Sequence, residues 1–378
     1  MRIEYHALDG TSLGTTRHVT AVHFGPEDAQ RKIYIQASLH ADELPGSLVV
    51  YHLRPLLEQL EQAGRVQSHI VLVPLCNPIG LDQPLMYRQN GRFDAFSGRN
   101  FNRLVNLPLY ERVLARLQAD PEVLGADAQA NVATIRQLMA QELQTYEPQT
   151  QVDLLQHLLV RLAYDADVVL DLHCDEKAVM HTYTLPQLWE RAEPLVRYLR
   201  SECQILSENS GSNAFDEFLS TIWLRLSREF PQVNIPLASF TITVELRGEA
   251  DLQHEKAQTD AQAIVQYLAH IGAIDLDEKA TQPMPDLIRE PHPLSGLAYV
   301  LAPTSGIVVY HVRAGETVTK GQLLADIVDP VHQLCTPVYT PTNGFVYATH
   351  HANFAQQGVT LVSVSGSTDL GLGEVLGP

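Results

Sequence analysis

Two apolar rhythms alternate along the first 275 residues. Short unbroken runs rich in β-branched and aromatic residues occur at Lys32–Ser38 (KIYIQAS), His69–Leu75 (HIVLVPL), Asp167–Leu172 (DVVLDL) and Phe240–Leu246 (FTITVEL). Runs of this length, closed by turn residues, predict strands buried on both faces. Between them the apolar positions fall at helical spacing. Over Gly46–Gly64 they are Leu48, Val49, His52, Leu53, Leu56, Leu57 and Leu60, with a glycine as the stop. The same spacing predicts helices over Ala126–Leu143, Val152–Ala163, Pro186–Cys203, Ala214–Phe230 and Leu252–Ile271. Alternating strands and helices predict an α/β domain, a mostly parallel mixed sheet flanked by helices. Residues 109–164 hold no strand signal and read as a helical elaboration.

The pattern changes near residue 280. The stretch TQPMPDLIREPHPLSG has four prolines and no periodicity, as a domain boundary should. After it come only short strand-like runs (LAYVLAP, GIVVYHV, QLLADIV, QLCTPVY, GFVYATH, VTLVSV) separated by Gly, Pro and Asn. The division expected is therefore 1–280, a linker at 281–294, and a small all-β module over 295–378. Two similar turns, Pro303–Gly306 and Pro341–Gly344, suit a module of two related halves.

Hydrophobic residues make up 45% of the 378, enough for a sizeable core, and the formal net charge is −18. Such a surface repels phosphate backbones and anionic lipids, which excludes nucleic acid and membrane surfaces as expected partners. Four scattered cysteines without CxxC, no signal-peptide pattern in MRIEYHALDG and no apolar run of membrane-spanning length predict a cytoplasmic protein. Only five of the 26 cationic residues are lysine, so the arginines are worth locating. Arg88, Arg92, Arg99 and Arg103 fall within YRQNGRFDAFSGRNFNR, a basic island whose single acid is Asp94.

Chemistry gathers at predicted strand ends, where open α/β sheets bind ligands. His40 and Glu43, three apart after the first strand, can offer an imidazole nitrogen and a carboxylate oxygen to one Zn²⁺. His173 follows the third strand, where the plain alternative is a core histidine. Asp171, two residues earlier on the same face, can fix its tautomer. Glu245 is a carboxylate inside an apolar strand, costly unless ligated, functional or paired with Arg247 or Arg103. In the basic island, one arginine can polarise a carbonyl and another, with Asn102, can grip a carboxylate. A solvated surface loop is the alternative. The adjacent His350 and His351 read as surface residues or a pocket rim.

The order HxxE, a loop ending in Asn102-Arg103, strand-DLH, then strand-VEL resembles the aspartoacylase and succinylglutamate desuccinylase family, of zinc carboxypeptidase-like fold. The resemblance covers His40 to Glu245. It implies one zinc per chain held by His40, Glu43 and His173, with Glu245 as general base. It also implies Asn102 and Arg103 on the substrate carboxylate, and Arg92 polarising the scissile carbonyl, with Arg88 and Arg99 competing for substrate contact. The chain departs from the family in Ala41, usually Gly, and in Asn100-Phe101-Asn102-Arg103, where the family reads DLNR. The C-terminal pattern Ala302-Pro303, Gly306, Gly315, Val318, Gly321-Gln322, Ala325 is similar to a biotinyl/lipoyl-type barrel-sandwich hybrid. It has no lysine in the hairpin that such carriers modify, and so reads as a lid or assembly element. The expected activity is hydrolysis of the amide of a small anionic N-acyl amino acid. The alternatives are a zinc carboxypeptidase acting on peptides and a non-catalytic binding member. A homo-oligomer is left open.

Overall fold

The computed structural model describes residues 1–208, 210–211, 213–350 and 353–371; His351 and residues 372–378 of the C-terminal stretch lie outside them. The central feature is a nine-stranded mixed sheet. Its strands are β1 (Arg2–Ser12), β2 (Thr15–Phe24), β3 (Lys32–Ala37), β4 (His69–Val73), β5 (Val168–Asp175), β6 (His181–Thr184), β7 (Cys203–Leu206), β8 (Phe240–Gly248) and β9 (His292–Pro293). Their order across the sheet is β1-β2-β4-β3-β5-β8-β6-β7-β9. The central four, β4, β3, β5 and β8, are parallel. The β1–β2 hairpin closes one side antiparallel, and β6 turns the direction again beside β8.

Helices cover both faces, as strands buried on both sides demand. On one face lie α1 (Pro45–Gln62), α5 (Trp189–Leu199) and α7 (His254–His270), packed with Val49, Leu53, Leu195 and Ile264 over Ile35, Leu170 and Ile242. On the other lie α2 (Leu109–Ala119), α3 (Ala128–Thr145), α4 (Gln151–Ala163) and α6 (Phe215–Glu229), joined through Val113, Ile135, Leu155 and Trp223.

The four predicted central strands and the helical character of 109–164 are present. Three details differ. The β1–β2 hairpin is absent from the sequence reading, because an edge strand such as RIEYHALDGTS carries polar residues on both faces. The helix expected over Pro186–Cys203 ends at Leu199, where Arg200 takes a left-handed φ of 57°, and Cys203 starts β7 instead. The third strand runs on to Asp175, so His173 lies within it.

The C-terminal region forms two antiparallel sheets. One runs Leu297–Leu301, Thr360–Ser365, Gly344–Thr349, Thr317–Val318; the other runs Leu334–Tyr339, Leu323–Asp329, Gly306–Tyr310, Phe354–Ala355. Val308, Leu324, Ile327, Val346 and Val362 fill the space between them. Lys177–Ala178, just past β5, pairs with Ala348 and Thr349, and Val179 and Ile205 pack on Phe345 and Tyr347. These contacts fix the module against the end of the central sheet.

The helical elaboration has a mechanical role. Gln156 on α4 donates from Nε2 to the carbonyls of Phe101 (2.7 Å) and Arg103 (3.1 Å). Arg99 reaches α4 as well, donating to Asp153 Oδ1 at 2.7 Å and to Gln156 Oε1 at 3.2 Å. From the other side, the Phe215 N–H that opens α6 donates to Asn102 Oδ1 at 2.7 Å. Residues 99–104 are thus held between two helices. Burial alone would raise the pKa of Asp153, but Arg99, Thr150 and Asn106 outweigh it and hold the carboxyl below its usual range. A folded-state pKa depressed in this way gives stability present above the unfolded value of about 4 and lost as pH falls. Arg99→Ala should therefore cost about 2 kcal/mol at pH 7 by stranding the buried Asp153. The gap between variant and wild-type melting temperatures should close toward pH 3, and a gap that persists there would place Arg99's contribution elsewhere.

Candidate active site

The turn between β3 and α1 is built from backbone hydrogen bonds. Ser38 adopts a φ of 59°, its Oγ donates to the Glu43 carbonyl (2.9 Å), and the Glu43 N–H donates to the His40 carbonyl (3.1 Å). Asn77 fastens the turn to the end of β4 by donating to the Leu39 carbonyl at 2.8 Å. Pro45 starts α1 directly after, which puts Glu43 at the positive end of that helix.

The result brings three predicted residues together. His40 Nδ1 stands 2.8 Å from Glu43 Oε1, and His173 Nδ1 stands 2.8 Å from Glu43 Oε2. All three side chains are buried, and their ligand atoms lie within 4.8 Å of one another. Among the described residues no other His/Cys/Asp/Glu group converges so closely. Two imidazoles and a carboxylate form a donor set that fits a divalent metal.

The far nitrogens of both imidazoles are supported. Asp171 Oδ2 is 3.1 Å from His173 Nε2, Asp171 Oδ1 accepts from Gln36 Nε2 (2.9 Å), and Gln36 Oε1 accepts from the Tyr34 hydroxyl (2.8 Å). His40 Nε2 donates to Asn100 Oδ1 at 2.9 Å. The Asn102 backbone N–H donates to that same oxygen (2.8 Å), so the amide of Asn100 cannot be reversed without setting donor against donor. Nε2 of His40 therefore carries the proton, and the Nδ1 lone pair faces the cluster.

Electrostatics agree with this arrangement. Burial would raise the pKa of Glu43, yet His40 and His173 hold it well below the usual carboxylate range. Burial, with help from Arg92, lowers His40 despite Glu43. Burial pulls His173 down, but Asp171 and Glu43 overcome it and hold it well above the ordinary imidazole value. Glu245 is the direct cross-strand partner of His173, so both side chains share one face of the sheet. Burial and then the charges of Glu43 and Asp175 push Glu245 well above the usual range, and its Oε2 is buried without a hydrogen-bond partner among the described residues.

The four arginines separate. Arg92 Nη1 lies 3.1 Å from Glu43 Oε1 and 3.2 Å from His40 Nδ1. Arg103 is half-buried, donates to the Asn102 carbonyl at 2.8 Å, and is lowered by burial and by Arg92. Arg99 is turned onto α4, and Arg88 is exposed in a small hairpin, pairing with Leu85. Neither makes a contact with the His40, Glu43, His173 cluster. Asn102 is buried, and its side-chain oxygen is engaged by α6. Asn100, Gln36 and Gln156 were not singled out in the sequence. Only the neighbourhood of Asn100 to Asn102-Arg103 signalled any of them.

The arginine loop touches the turn that carries His40 and Glu43 through glycine. The Ala41 N–H donates to the Gly91 carbonyl (3.0 Å), and a Cβ at 91 would stand 2.2 Å from the Asp42 nitrogen. The methyl of Ala41 is accommodated because position 80 is also glycine, where a Cβ would come within 3.0 Å of it. Gly91→Ala should force the loop off the turn, with a loss of about 1–3 kcal/mol in stability. Metal affinity should fall about tenfold or more, read by chelator competition.

The catalytic-domain profile of the succinylglutamate desuccinylase/aspartoacylase family matches residues 29–271. No curated protein sequence matches the chain. Among solved structures, one from Shewanella amazonensis, described as of this family, is 25% identical with a TM-score of 0.81, covering 97% of this chain and 98% of that one. A second from Shewanella frigidimarina is 24% identical with a TM-score of 0.83, covering 96% of each chain. The product-bound ectoine utilization protein EutE of Ruegeria pomeroyi shares the fold at 14% identity and a TM-score of 0.63, covering 93% of this chain and 89% of that one. With its catalytic-domain profile spanning nearly the whole α/β region, the chain belongs to the succinylglutamate desuccinylase/aspartoacylase family, a family of deacylases.

Proposed function

We propose that the chain is a zinc-dependent amidohydrolase that removes the acyl group from a small N-acyl amino acid or related carboxylate-bearing amide. The observation that carries this is the buried convergence of His40, Glu43 and His173 beside Glu245 on the neighbouring strand. His40, Glu43 and His173 would hold the ion, which supplies Lewis acidity and lowers the pKa of a water toward about 7.

The remaining chemistry falls to side chains. Glu245 accepts a proton from the attacking water and delivers it to the leaving amine nitrogen. Its raised pKa makes it a carboxyl that can both take and give a proton, and a cation at the trio would draw that pKa back down. Arg92, beside Glu43, donates to the acyl oxygen as negative charge develops there. Arg103, with the amide of Asn102, orients the substrate through a carboxylate. Asp171 and Asn100 keep the two imidazoles in position. Arg88 and Arg99 have no part in this proposal. The chemistry is assigned to residues 1–280; 281–294 lead out of that domain, with His292–Pro293 still joined to its sheet as β9, and the described residues of 295–378 form the β module beside it.

The experiment is metal analysis of the purified protein together with amine release from N-acyl amino acids and short peptides. Chelation should abolish activity and zinc should restore it. Cleavage of peptides but of no N-acyl amino acid would exclude the deacylase reading. Glu245→Gln should lower kcat by about 10²–10⁴ with metal content unchanged. His173→Ala should lose metal and activity together, and full activity in either variant would refute the roles given.

A further inference from the structure

Across the central strands the charge around the trio changes sign. On the β3 side stand Arg92 and Asn100, in contact with His40. On the β8–β6 side Asp42, Asp175, Glu176 and Glu249 gather, with the exposed Lys177 and the hydroxyls of Tyr183 and Tyr347 beside them. His181 is the direct partner of Glu245 on β6, and so shares its face of the sheet. It is fully buried, and Nδ1 lies 2.9 Å from the Val179 carbonyl. A carbonyl only accepts, so Nδ1 carries the proton and Nε2 presents a lone pair. That Nε2 has no hydrogen-bond partner among the described residues and lies 3.9 Å from Asp175 Oδ2.

Two further buried acceptors, Glu245 Oε2 and Asp42 Oδ1, are without partners among the described residues. Above them Gly248 lets β8 pass close to the Glu176 carbonyl, where a Cβ would stand at 2.7 Å. The Glu249 N–H then donates to the carbonyls of Asp175 (2.9 Å) and Glu176 (3.2 Å). Partial burial and then Asp42, Glu176, Glu43 and Asp175 push Glu249 up to about 7, a sign of how closely these carboxylates crowd. His350 of the β module sits on Glu176 and so offsets one of them.

A neutral imidazole lone pair beside several carboxylates favours a donor with positive charge. We infer that the amine half of the substrate carries a second, protonated nitrogen, which docks on His181 Nε2 and Asp175 at the rim formed with Asp42 and Glu249. The substrate class is then an N-acyl amino acid with a cationic side chain, its carboxylate on the arginine side and its ammonium on the acid side. This rests on the deacylase reading above and narrows it.

The test compares Nα-acetylornithine with N-acetylnorvaline, which share a carbon chain and differ in the terminal ammonium. Wild-type kcat/KM should favour the ornithine derivative by about tenfold or more. The ratio, taken within each protein so that common losses cancel, should collapse toward one in Asp175→Asn and shrink in Glu249→Gln. Calorimetry should show ornithine binding the wild-type holoenzyme more tightly than norvaline, with the difference lost in Asp175→Asn. Equal or inverted wild-type preference with both compounds cleaved would overturn the inference and leave the deacylase reading standing. So would a ratio unchanged in both variants. Cleavage of neither compound would count against the deacylase reading, and the calorimetric comparison alone would then decide whether the cationic subsite exists.

Discussion

Everything at this site depends on burying the carboxylate of Glu43. A lone carboxylate removed from water costs several kcal/mol. Here Oε2 meets His173 Nδ1 at 2.8 Å and the Cys174 N–H at 3.2 Å, while Oε1 accepts from Arg92 Nη1 at 3.1 Å. The matching needs His173 from β5, Arg92 from the basic loop, and a turn tied at Ser38, Glu43 and Asn77 that brings Glu43 to them. The four central parallel strands therefore serve mainly as a ruler. They set the height at which residues from β3, β5 and β8 meet, and the buried tethers behind Asp171 and Asn100 set the direction of each ring.

The arginine loop follows the same logic one layer out. The loop is anchored by one fully buried apolar side chain, Phe101, and the rest of its shape comes from polar partners. Asp153 and Gln156 on α4 and the first turn of α6 supply them. Once Arg99 is bound to α4, the chain direction at 100–103 is fixed. Asn100 reaches His40, while Arg103 comes close enough for Arg92 to lower its pKa. The helical elaboration acts as a buttress for the loop, a role that its own sequence does not announce.

This difference explains what could be read from the chain alone. His40, Glu43, His173 and Glu245 were legible because each sits at or near the end of an apolar run, and strand ends converge by topology. Asp171 was legible because strand periodicity places it on the face of His173. The arginines were not separable, since four identical side chains in one loop differ only in partners. The partner that removes Arg99 is Asp153, 54 residues away. Asn100 and Gln156 were missed for the same reason, because neutral amides carry no pattern and gain meaning only from what they touch. The β1–β2 hairpin escaped because edge strands lack the apolar signature of central ones.

The net charge of −18 invites a dismissal of the carboxylates near β6 as part of a general acidic surplus. Glu249 is exposed and Asp175 half-buried, so what sets them apart is the buried imidazole beside them. Exposed acids are hydrated at little cost, and an excess of them says nothing about a site. A buried acceptor without a donor forfeits about 1–3 kcal/mol. His181 is fully buried, with its tautomer fixed by a backbone carbonyl, and its free lone pair cannot be relieved by rotating the ring. The Tyr347 ring from the C-terminal module, 5.0 Å away, helps to enclose it. A fold that docks a second module beside an unmatched acceptor has built an environment in which a donor from a ligand gains more than it would in water. A bulk charge of this sign disfavours polyanions, and under the inference drawn above the local arrangement of that charge selects the small molecule.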